Sequence, residues 1–478
     1  MVLHLRVVFD RAILSAVVLD FGTNCKREIM MQVVFVQAFI FFCLLPMTLV
    51  QDEDLNSLEK HGKVLFERKW KPNDELSPNG DGLGPMFNAD SCATCHPQGG
   101  GEGNQFNVQL LTLVSRHRSS EDAPIPRDLK RMIPFFEESG ESTTILHRHS
   151  TDKDFVLLRK ELFEERLQKS KVSRTQPVLS VRPVKTAYVV RSYRHYDLVV
   201  SERNSPSLLG LKWIDEIDAE AIKEVEFSQR GGGEISGRIA LTSDGKIGRF
   251  GWRGQTASLK DFVANACAAE MGLQQNTRPQ SLSPLQPNTR MAGIDMDESQ
   301  VEALVAFVET FPRPKTIPVR LSAQHLRDGR GLFSRLDCAV CHVKQLGGVD
   351  GIYSDLLLHD MGSGLADPVS ASPHVELSGK EMMFLESGGG FSYFGGNFTK
   401  LVKERTVIPS NVMQEWQTPP LWGLADTAPY LHDGRAETID LAIRLHGGEA
   451  ARSAEKYSQL ASNKQKALIS FLRMLRAR

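Results

Sequence analysis

The chain contains one pentad of residues twice, and this repetition constrains its fold more than any other feature. Cys-Ala-Thr-Cys-His occupies residues 92–96, and Cys-Ala-Val-Cys-His occupies residues 338–342. Two thiols separated by two residues can add across the two vinyl groups of a haem, and the adjacent histidine then reaches the iron. We therefore predict two covalently bound haem c groups, one in each half of the chain.

Each predicted haem has its own attachment residues and proximal ligand. These residues are Cys92, Cys95 and His96 for the first haem, and Cys338, Cys341 and His342 for the second. The alternatives are a redox-active Cys-x-x-Cys pair and half of a zinc site. A zinc site requires a second Cys or His pair near each motif, and neither motif has a close Cys partner. The haem interpretation is therefore favoured at both pentads.

The amino-terminal segment predicts export. Residues 33–50 are almost entirely apolar and follow two basic residues, which is typical of a secretory signal peptide. A retained membrane anchor is the alternative, because the apolar run is nearly long enough to span a bilayer. We therefore expect residues 1–50 to be a signal peptide or an anchor, with a true start at Met30 or Met31 as a further alternative. A periplasmic or otherwise exported protein agrees with haem c, which is normally attached outside the cytoplasm.

The net charge excludes a nucleic-acid-binding protein, and the cysteine content excludes a disulfide scaffold. The net charge is −1, which gives no electrostatic footprint for nucleic acid. Seven cysteines in 478 residues are too few for a disulfide scaffold, and four of them belong to the pentads. Cys267 is on a predicted helix, where a buried apolar role is favoured over a redox role.

The surroundings of the pentads also repeat. Gly-x-x-Leu-Phe precedes each pentad, at 62–66 and at 329–333, as it often does at the start of small cytochrome c domains. Each half ends with an amphipathic helix, because residues 298–311 and 466–476 place apolar side chains at i, i+3, i+4 and i+7. Ser462 and the residue after it are candidates for the cap of the second of these helices.

We predict a mainly α fold of two cytochrome c-like haem domains. The first domain covers residues 51–311 and the second covers residues 321–478, with a proline-containing linker at 312–320. The first domain is longer because of a mixed α/β insertion at about 105–250.

The insertion has recognisable elements. Residues 186–193 and 196–202 are rich in β-branched and aromatic side chains and predict strands, whereas residues 152–171 predict a helix. A hairpin is predicted across Ser243–Gly245.

A haem iron with one histidine ligand has a sixth position, and His446 is the best candidate for it at the second haem. A helix is predicted at Thr438–Leu445, ended by two glycines. Its apolar face is formed by Ile439, Ala442 and Ile443, and His446 extends that face. A satisfied core histidine is the alternative, but the haem in the same domain favours the ligand.

Several other side chains are weaker candidates. Met361 is the rival distal ligand of the second haem, and His359 and His432 are candidate catalytic residues of its pocket. Met86 and His117 are weak candidates for the first haem. The histidines at 147, 149 and 195 are expected on solvated surfaces.

The late segment TPPLWGLADTAPYLHDGRAETIDLAIRLHGG resembles the bacterial dihaem peroxidase superfamily. That superfamily contains the dihaem oxidoreductase family, also described as peroxidases or thiol oxidoreductases. Three further segments of the chain are similar to blocks of this family: GDGLGPMFNADSCATCHP, RFGWRGQTASL and YSDLLLHDMG. The resemblance covers most of residues 60–478.

The resemblance implies further roles. In the superfamily, a Met or Tyr fourteen residues after the His of His-Asp-Gly is the distal ligand of the second haem, and counting from His432 gives His446. Two histidine ligands imply a lower potential than a His/Met pair. The resemblance also implies a peroxide site at the first haem and a calcium ion between the domains, for which Asn79 and Asp81 are candidate ligands.

These inferences together predict an exported dihaem c-type oxidoreductase that reduces hydrogen peroxide at one haem. Electrons would pass through the other haem from a small electron-donor protein such as a cytochrome. The alternatives are a non-catalytic dihaem electron-transfer cytochrome and an oxidase of a thiol or protein substrate. The amino-terminal segment adds an expected membrane attachment if it is retained.

Overall fold

The structure is a computed structural model, and it describes ten stretches of the chain. These are residues 55–99, 108–115, 134–136, 143–171, 187–194, 196–231, 233–289, 293–316, 323–367 and 414–476. All of them belong to one compact unit, Val50–Arg478. The predicted signal peptide or anchor and His117 lie outside the described residues. No helix within the described stretches has both the length and the apolar character needed to cross a membrane.

The secondary structure is mainly helical. The helices are α1 (Ser57–Glu67), α2 (Cys92–Cys95), α3 (Lys153–Lys171), α4 (Leu211–Asp215), α5 (Ala219–Gln229), α6 (Leu259–Met271), α7 (Glu298–Glu309), α8 (Ala323–Arg335), α9 (Cys338–Cys341), α10 (Ile439–Leu445), α11 (Ala451–Ser458) and α12 (Ser462–Leu472). The strands are β1 (Met86–Phe87), β2 (Val108–Ser115), β3 (Thr143–Ile145), β4 (His149–Ser150), β5 (Ala187–Tyr193), β6 (Tyr196–Arg203), β7 (Lys315–Thr316), β8 (Gln345–Leu346), β9 (Val349–Asp350), β10 (Leu358–Asp360), β11 (Glu415–Gln417) and β12 (Leu475–Arg476).

In the first half, α1 crosses α7. A capping box on Asn56 starts α1, and another on Asp297 starts α7, so the ends of both helices are well defined. The backbone of Gly62 lies so close to α7 that an added Cβ would lie 1.8 Å from the Ala303 carbonyl oxygen. One turn further along, the ring of Phe66 packs edge-on against that of Phe307, with centroids 5.3 Å apart. The Gly-x-x-Leu-Phe pattern therefore supplies both the close approach and the apolar contact.

In the second half, α8 crosses α12 in the same way. A Cβ on Gly329 would lie 2.2 Å from the Ala467 carbonyl oxygen, and the ring centroids of Phe333 and Phe471 are 5.5 Å apart. The predicted cap of α12 is wrong by one residue. Ala461 is the cap, without a side-chain hydrogen bond, and Ser462 is the first helical residue. The helix is held by its buried apolar face and begins without a polar cap.

The insertion contains an antiparallel sheet of four strands in the order β3-β2-β6-β5. The predicted strands appear as β5 and β6, and the predicted helix appears as α3. Buried side chains on one part of this sheet, among them Leu111 and Val200, form a separate cluster with Phe155 and Leu162 from α3, whereas Val108 and Leu110 of β2 join the main core. The predicted hairpin is shorter than expected, because Leu241 and Ile247 form an isolated bridge and no ladder.

The two halves contact each other through backbone and buried charge. Strand β7, within the predicted linker, pairs with β12 at the carboxyl end, and Arg238 forms a bridge with Leu358. Asp367 accepts hydrogen bonds from both Arg203 and Arg253, and all three side chains are buried. A mainly helical fold with small sheets is thus confirmed, whereas the division into two haem domains stays a prediction.

Candidate functional site

The second pentad forms a single helical turn that ends at its histidine. Helix α9 contains both cysteines, and His342 is its carboxyl-terminal cap. The Nδ1 atom of His342 lies 3.0 Å from the carbonyl oxygen of Tyr353. A carbonyl oxygen only accepts, so Nδ1 carries the proton and Nε2 keeps its lone pair. Burial lowers the pKa of His342 to about 4, so the ring is neutral, which is the form that binds metal.

His446 has the same hydrogen-bond arrangement as His342. Thr438 caps α10 through a hydrogen bond from the Leu441 amide, and His446 ends the helix. Its Nδ1 donates to the Ala442 carbonyl oxygen at 2.7 Å, which again leaves Nε2 as a free acceptor. Burial lowers its pKa, and it lies close enough to His342 to contribute to the lowered pKa of that ring. Both imidazoles therefore have the tautomer that a metal ligand requires.

A cavity of about 330 Å³ brings these histidines together with the two thiols of the second pentad. Its volume is at the lower end of the range for cofactor pockets. The predicted apolar face of α10 lines it, as do the residues predicted around the second haem. These lining residues are Cys338, Cys341, His342, His359, Met361, His432, Ile439, Ala442, Ile443 and His446.

The rival ligand Met361 lies beside His446 in space. The residue after His446, Gly447, packs so tightly that a Cβ there would lie 2.6 Å from the Met361 carbonyl oxygen. Both candidates line the cavity, so proximity does not separate them. The hydrogen bond at Nδ1 favours His446, because it fixes the direction of the imidazole.

The four pentad thiols lack the features of redox-active cysteines. They form no disulfide. Burial raises the pKa of Cys92, Cys95 and Cys338 to about 12, whereas a reactive thiol has a lowered pKa. Cys341 also has a raised pKa because of burial. Within the described stretches, a zinc-like cluster occurs only at Cys341 with Asp355 and His359, so the first pentad has no such set.

His359 lies at the wall of the cavity between two carboxylates. Its Nδ1 is 2.7 Å from Glu449 Oε2, and its Nε2 is 3.0 Å from Asp355 Oδ2. Burial favours the neutral ring, but hydrogen bonds, foremost that to Asp355, raise the pKa of His359 well above its ordinary value. The side chain is therefore a buried cation. Its Nδ1 is also 3.6 Å from the sulfur of Cys341.

His432 has a different environment. Its ring stacks on Trp416 with centroids 3.6 Å apart and planes inclined by 7°. The guanidinium of Arg253 lies over the ring of Trp416, 4.2 Å from the centroid of that ring. Burial lowers the pKa of His432 to about 3, so this ring is neutral. The two predicted pocket histidines thus differ in charge, which sequence alone did not indicate.

The first pentad also forms one helical turn, α2, with His96 as its carboxyl-terminal cap. The thiol of Cys92 lies within electrostatic range of Cys267, whose own pKa is raised by burial. Cys267 is 1% exposed. A buried, protonated thiol agrees with the predicted packing role of this cysteine.

Glu270 is a candidate functional residue that the sequence analysis missed. Burial raises its pKa to about 7. Oε2 accepts a hydrogen bond from Asn88 Nδ2 at 2.7 Å, whereas the buried Oε1 has no hydrogen-bond partner among the described residues. The carboxylate lies close enough to Cys95 to contribute, after burial, to the raised pKa of that thiol. A carboxyl titrating near neutral pH beside a cofactor motif is a candidate acid or base.

One sequence feature could have identified Glu270: it lies on α6, whose other side chains are mostly apolar. An acidic residue on a buried helix needs a partner or a function. Asn88 is that partner, and it lies in the segment just before the first pentad. Its Oδ1 accepts from the Arg148 amide, which fixes the direction of its side-chain amide.

The other candidates of the first half have mixed outcomes. Met86 is buried, in the core under the insertion sheet. His147 was expected on a solvated surface, which is wrong: it is 4% exposed, and its Nε2 donates to the Ala269 carbonyl oxygen. His149 is exposed as predicted, and His195 lies outside the described residues.

The calcium prediction concerns a loop close to Asp295. Asp81 Oδ2 accepts from Gln280 Nε2 at 3.0 Å, and Asp295 Oδ1 accepts from the Gly82 amide at 2.6 Å. The Asn79 carbonyl oxygen packs against Gly293. These contacts order the loop, and the ion stays a prediction.

Comparison with known proteins matched one family model, and the solved structures that match include two of low structural similarity. No curated protein matches the chain. The hydrazine synthase of Kuenenia stuttgartiensis is similar at 16% identity over 63% of this chain and 98% of that chain, with a TM-score of 0.27. A MauG-like protein associated with microbial copper homeostasis is similar at 16% identity over 55% of this chain and 90% of that chain, also with a TM-score of 0.27.

The family match lies in the second half. Residues 405–475 match the family described as "Di-haem oxidoreductase, putative peroxidase". This stretch contains His432, α10 and His446, whose geometry is given above. The match therefore confirms, over residues 405–475, the resemblance to the di-haem oxidoreductase family.

Proposed function

We propose that the chain is a dihaem c-type oxidoreductase that reduces hydrogen peroxide. The observation that carries this proposal is the pair of histidines at the second site, each with Nδ1 bonded to a backbone carbonyl oxygen and Nε2 available, in one cavity with the two thiols of a pentad. The family match supports a di-haem redox function in general terms. Peroxide as the substrate is a narrower inference, supported by Glu270.

At the second site, Cys338 and Cys341 would attach the haem. His342 would be the proximal ligand, and His446 the distal one. The apolar lining of the cavity suits a porphyrin, and the neutral, correctly protonated imidazoles suit its iron. A haem held in this way supplies reversible one-electron chemistry.

At the first site, Cys92 and Cys95 would attach the other haem, with His96 as ligand. Reduction of peroxide needs a group that takes a proton from one peroxide oxygen and delivers a proton to the leaving oxygen. Glu270 suits this task, because its pKa of about 7 makes both protonation states accessible near neutral pH. Asn88 holds Oε2, so Oε1 is the oxygen free to exchange the proton.

The test measures spin state and peroxide turnover together. The holoprotein should show one low-spin and one high-spin ferric haem in an electron paramagnetic resonance spectrum, and it should consume peroxide with a reduced dye. Glu270→Gln should keep both haems but lose turnover. Glu302→Gln, on an exposed face of α7, is the matched control. Two low-spin haems without turnover in the wild-type chain would replace this proposal with an electron-transfer cytochrome.

The electron-transfer cytochrome is the second candidate function. It is favoured by the second site taken alone, where two available imidazoles would close both axial positions. Glu270 favours the enzyme instead, because a carboxyl with a pKa of about 7 beside a cofactor motif can serve as an acid or base. Oxidation of a thiol substrate gains no support from Cys267, which is buried.

Export and an electron-donor protein complete the proposal. A secretory signal or anchor in residues 1–50 would take the chain to a compartment where haem c is attached. A small cytochrome would supply the electrons.

A further inference from the structure

The hydrogen bonds of His359 give it a positive charge inside the protein. Its Nδ1 lies 2.7 Å from Glu449 Oε2, and its Nε2 lies 3.0 Å from Asp355 Oδ2. A carboxylate oxygen only accepts, so both ring nitrogens carry a proton and the imidazole is a cation. The side chain of His359 is 3% exposed, and that of Asp355 is fully buried. These three side chains are here called the buried triad.

Hydrogen-bond donors keep both carboxylates of the buried triad ionised. Asp355 accepts from the Leu357 amide and from Gln229 Nε2, each at 2.9 Å. Donors of this kind stabilise the charged form of a carboxyl group. Burial favours the protonated form of Glu449, but the hydrogen bond from His359 holds the pKa of Glu449 below its ordinary value. Two carboxylates thus face one imidazolium, and the buried triad has a surplus of one negative charge.

A loop of the first half encloses the buried triad. Gln229, at the end of α5, accepts a hydrogen bond from the Gly237 amide at 2.8 Å. A Cβ on Gly237 would lie 2.6 Å from the His359 ring, so no side chain fits between the loop and the imidazole. The Ser236 amide donates to Glu449 Oε2 at 3.0 Å, and Glu449 remains 15% exposed. Because water is mostly excluded, the surplus negative charge is weakly screened.

The buried triad lies against an attachment residue of the second pentad. His359 Nδ1 is 3.6 Å from the sulfur of Cys341. Gln229, which binds Asp355, also donates to the Val340 carbonyl oxygen at 3.1 Å. In an attached haem c, that sulfur is bonded to a former vinyl group of the porphyrin. Ferric haem has one more positive charge than ferrous haem, so a negative charge at this distance favours the ferric form.

We propose that the buried triad of Asp355, His359 and Glu449 lowers the reduction potential of the haem attached at the second pentad. Its surplus negative charge stabilises the ferric iron. The step that it opposes is the gain of one electron by this iron from a reductant that loses one electron, with no bond made or broken. This inference depends on the proposed function, because it requires a haem at the second pentad.

The experiment is a spectroelectrochemical titration of the full-length holoprotein, followed at the second haem. Asp355→Asn removes a fully buried negative charge and should raise the ratio of ferrous to ferric haem roughly tenfold at a fixed applied potential. Glu449→Gln should raise this ratio less, because its side chain is closer to solvent, and it tests the proposal if Asp355→Asn does not fold. His359→Gln should lower the ratio, because it removes the positive charge and leaves the two carboxylates.

The opposite signs of these changes separate an electrostatic role from a structural one. A substitution that only opens the site to water would shift the potential in one direction, whichever of the three residues is changed. The matched control is Asp350→Asn in β9, because Asp350 also follows the second pentad but is 58% exposed and pairs with Lys344. It should leave the ratio unchanged. Unchanged ratios in Asp355→Asn and Glu449→Gln, or one direction of change in all three variants, would overturn the proposal.

Two further measurements distinguish failure of this inference from failure of the proposed function. The low-spin electron paramagnetic resonance signal of the second haem should be the same in the wild type and in the three variants. A changed signal would assign the shift in potential to a changed axial ligand, and the inference would be wrong. Denatured mass reports whether the haem is attached. If it is attached and its potential ignores the buried triad, the proposed function stands; if no haem is attached at the second pentad, both proposals fall.

Discussion

Gly62 lies against the carbonyl oxygen of Ala303 so closely that no side chain fits between the two helices. Gly329 has the same relation to Ala467, and in both pairs a Phe–Phe contact follows one turn later. The two pentads thus follow helices that are anchored by the same device. Repetition in the sequence corresponds here to repetition in packing.

Gly62→Ala and Gly329→Ala should each destabilise the protein. An added methyl group would force α1 away from α7, or α8 away from α12, and overpacking of this kind typically costs about 1 to 3 kcal/mol. Thermal or denaturant unfolding of the holoprotein measures the loss. Gly364→Ala is the control, because an added Cβ there meets nothing within 4 Å. Equal stability of all three variants would contradict the tight crossing.

Substitution of the pentad cysteines should remove haem one group at a time. Cys92→Ala/Cys95→Ala and Cys338→Ala/Cys341→Ala should each retain a single covalent haem after acid-acetone extraction, as measured by denatured mass. Cys267→Ala should retain two, because that thiol is buried and outside the pentads. A wild-type mass equal to that of the apoprotein would reject covalent attachment.

His446→Ala should convert the second haem from low spin to high spin, because it removes the imidazole whose Nε2 is available at the cavity. Electron paramagnetic resonance of the ferric protein measures this change, and the signal of the first haem should stay constant. Met361→Ala is the comparison variant. Loss of the low-spin signal in Met361→Ala alone would assign the ligand to Met361 and give a His/Met site of higher potential.

Glu270→Gln should lower peroxide turnover by about 10² to 10⁴, the usual contribution of a general acid or base. The pKa of Glu270 is raised to about 7, so the proton-accepting carboxylate forms only as the pH rises through 7. Wild-type turnover should therefore rise with pH around a midpoint near 7, and the residual rate of the variant should lack that step. The same midpoint in the variant would show that a group other than Glu270 causes the pH dependence.

Asp367→Asn should weaken the contact between the two halves. Burial alone would raise the pKa of Asp367, but Arg203 and Arg253 hold it below its ordinary value. The carboxylate thus stabilises the fold above its unfolded pKa of 3.8, and this contribution is lost as the pH falls through the lower folded pKa. Loss of the charge leaves two buried guanidinium groups and should cost about 3 to 5 kcal/mol at neutral pH.

Urea unfolding at pH 7 and in acid measures this difference, which should shrink in acid. Glu75→Gln is the control, because Glu75 is 77% exposed and pairs with Lys71 on the surface. Its effect on the free energy of unfolding should be far smaller than that expected for Asp367→Asn. An equally small change in the free energy of unfolding for Asp367→Asn would show that other groups compensate the buried charges of Arg203 and Arg253.

The sequence alone determined the features that depend on short-range spacing. The pentads, the apolar face that His446 extends and the closing helices α7 and α12 were all predictable, because a helix relates residues three and four apart by geometry. Strands β5 and β6 were predictable from their β-branched composition. These properties need no knowledge of the rest of the chain.

Tertiary structure decided which distant residues meet and what charge they carry. Glu270 is a candidate acid only because Asn88 binds one of its oxygens and packing buries the other. His359 becomes a cation between Asp355 and Glu449, and His432 stays neutral against Trp416. The physical reason is that desolvation and hydrogen bonding act over a few ångströms in space, whatever the separation along the chain, so only the fold sets the protonation state of a buried group.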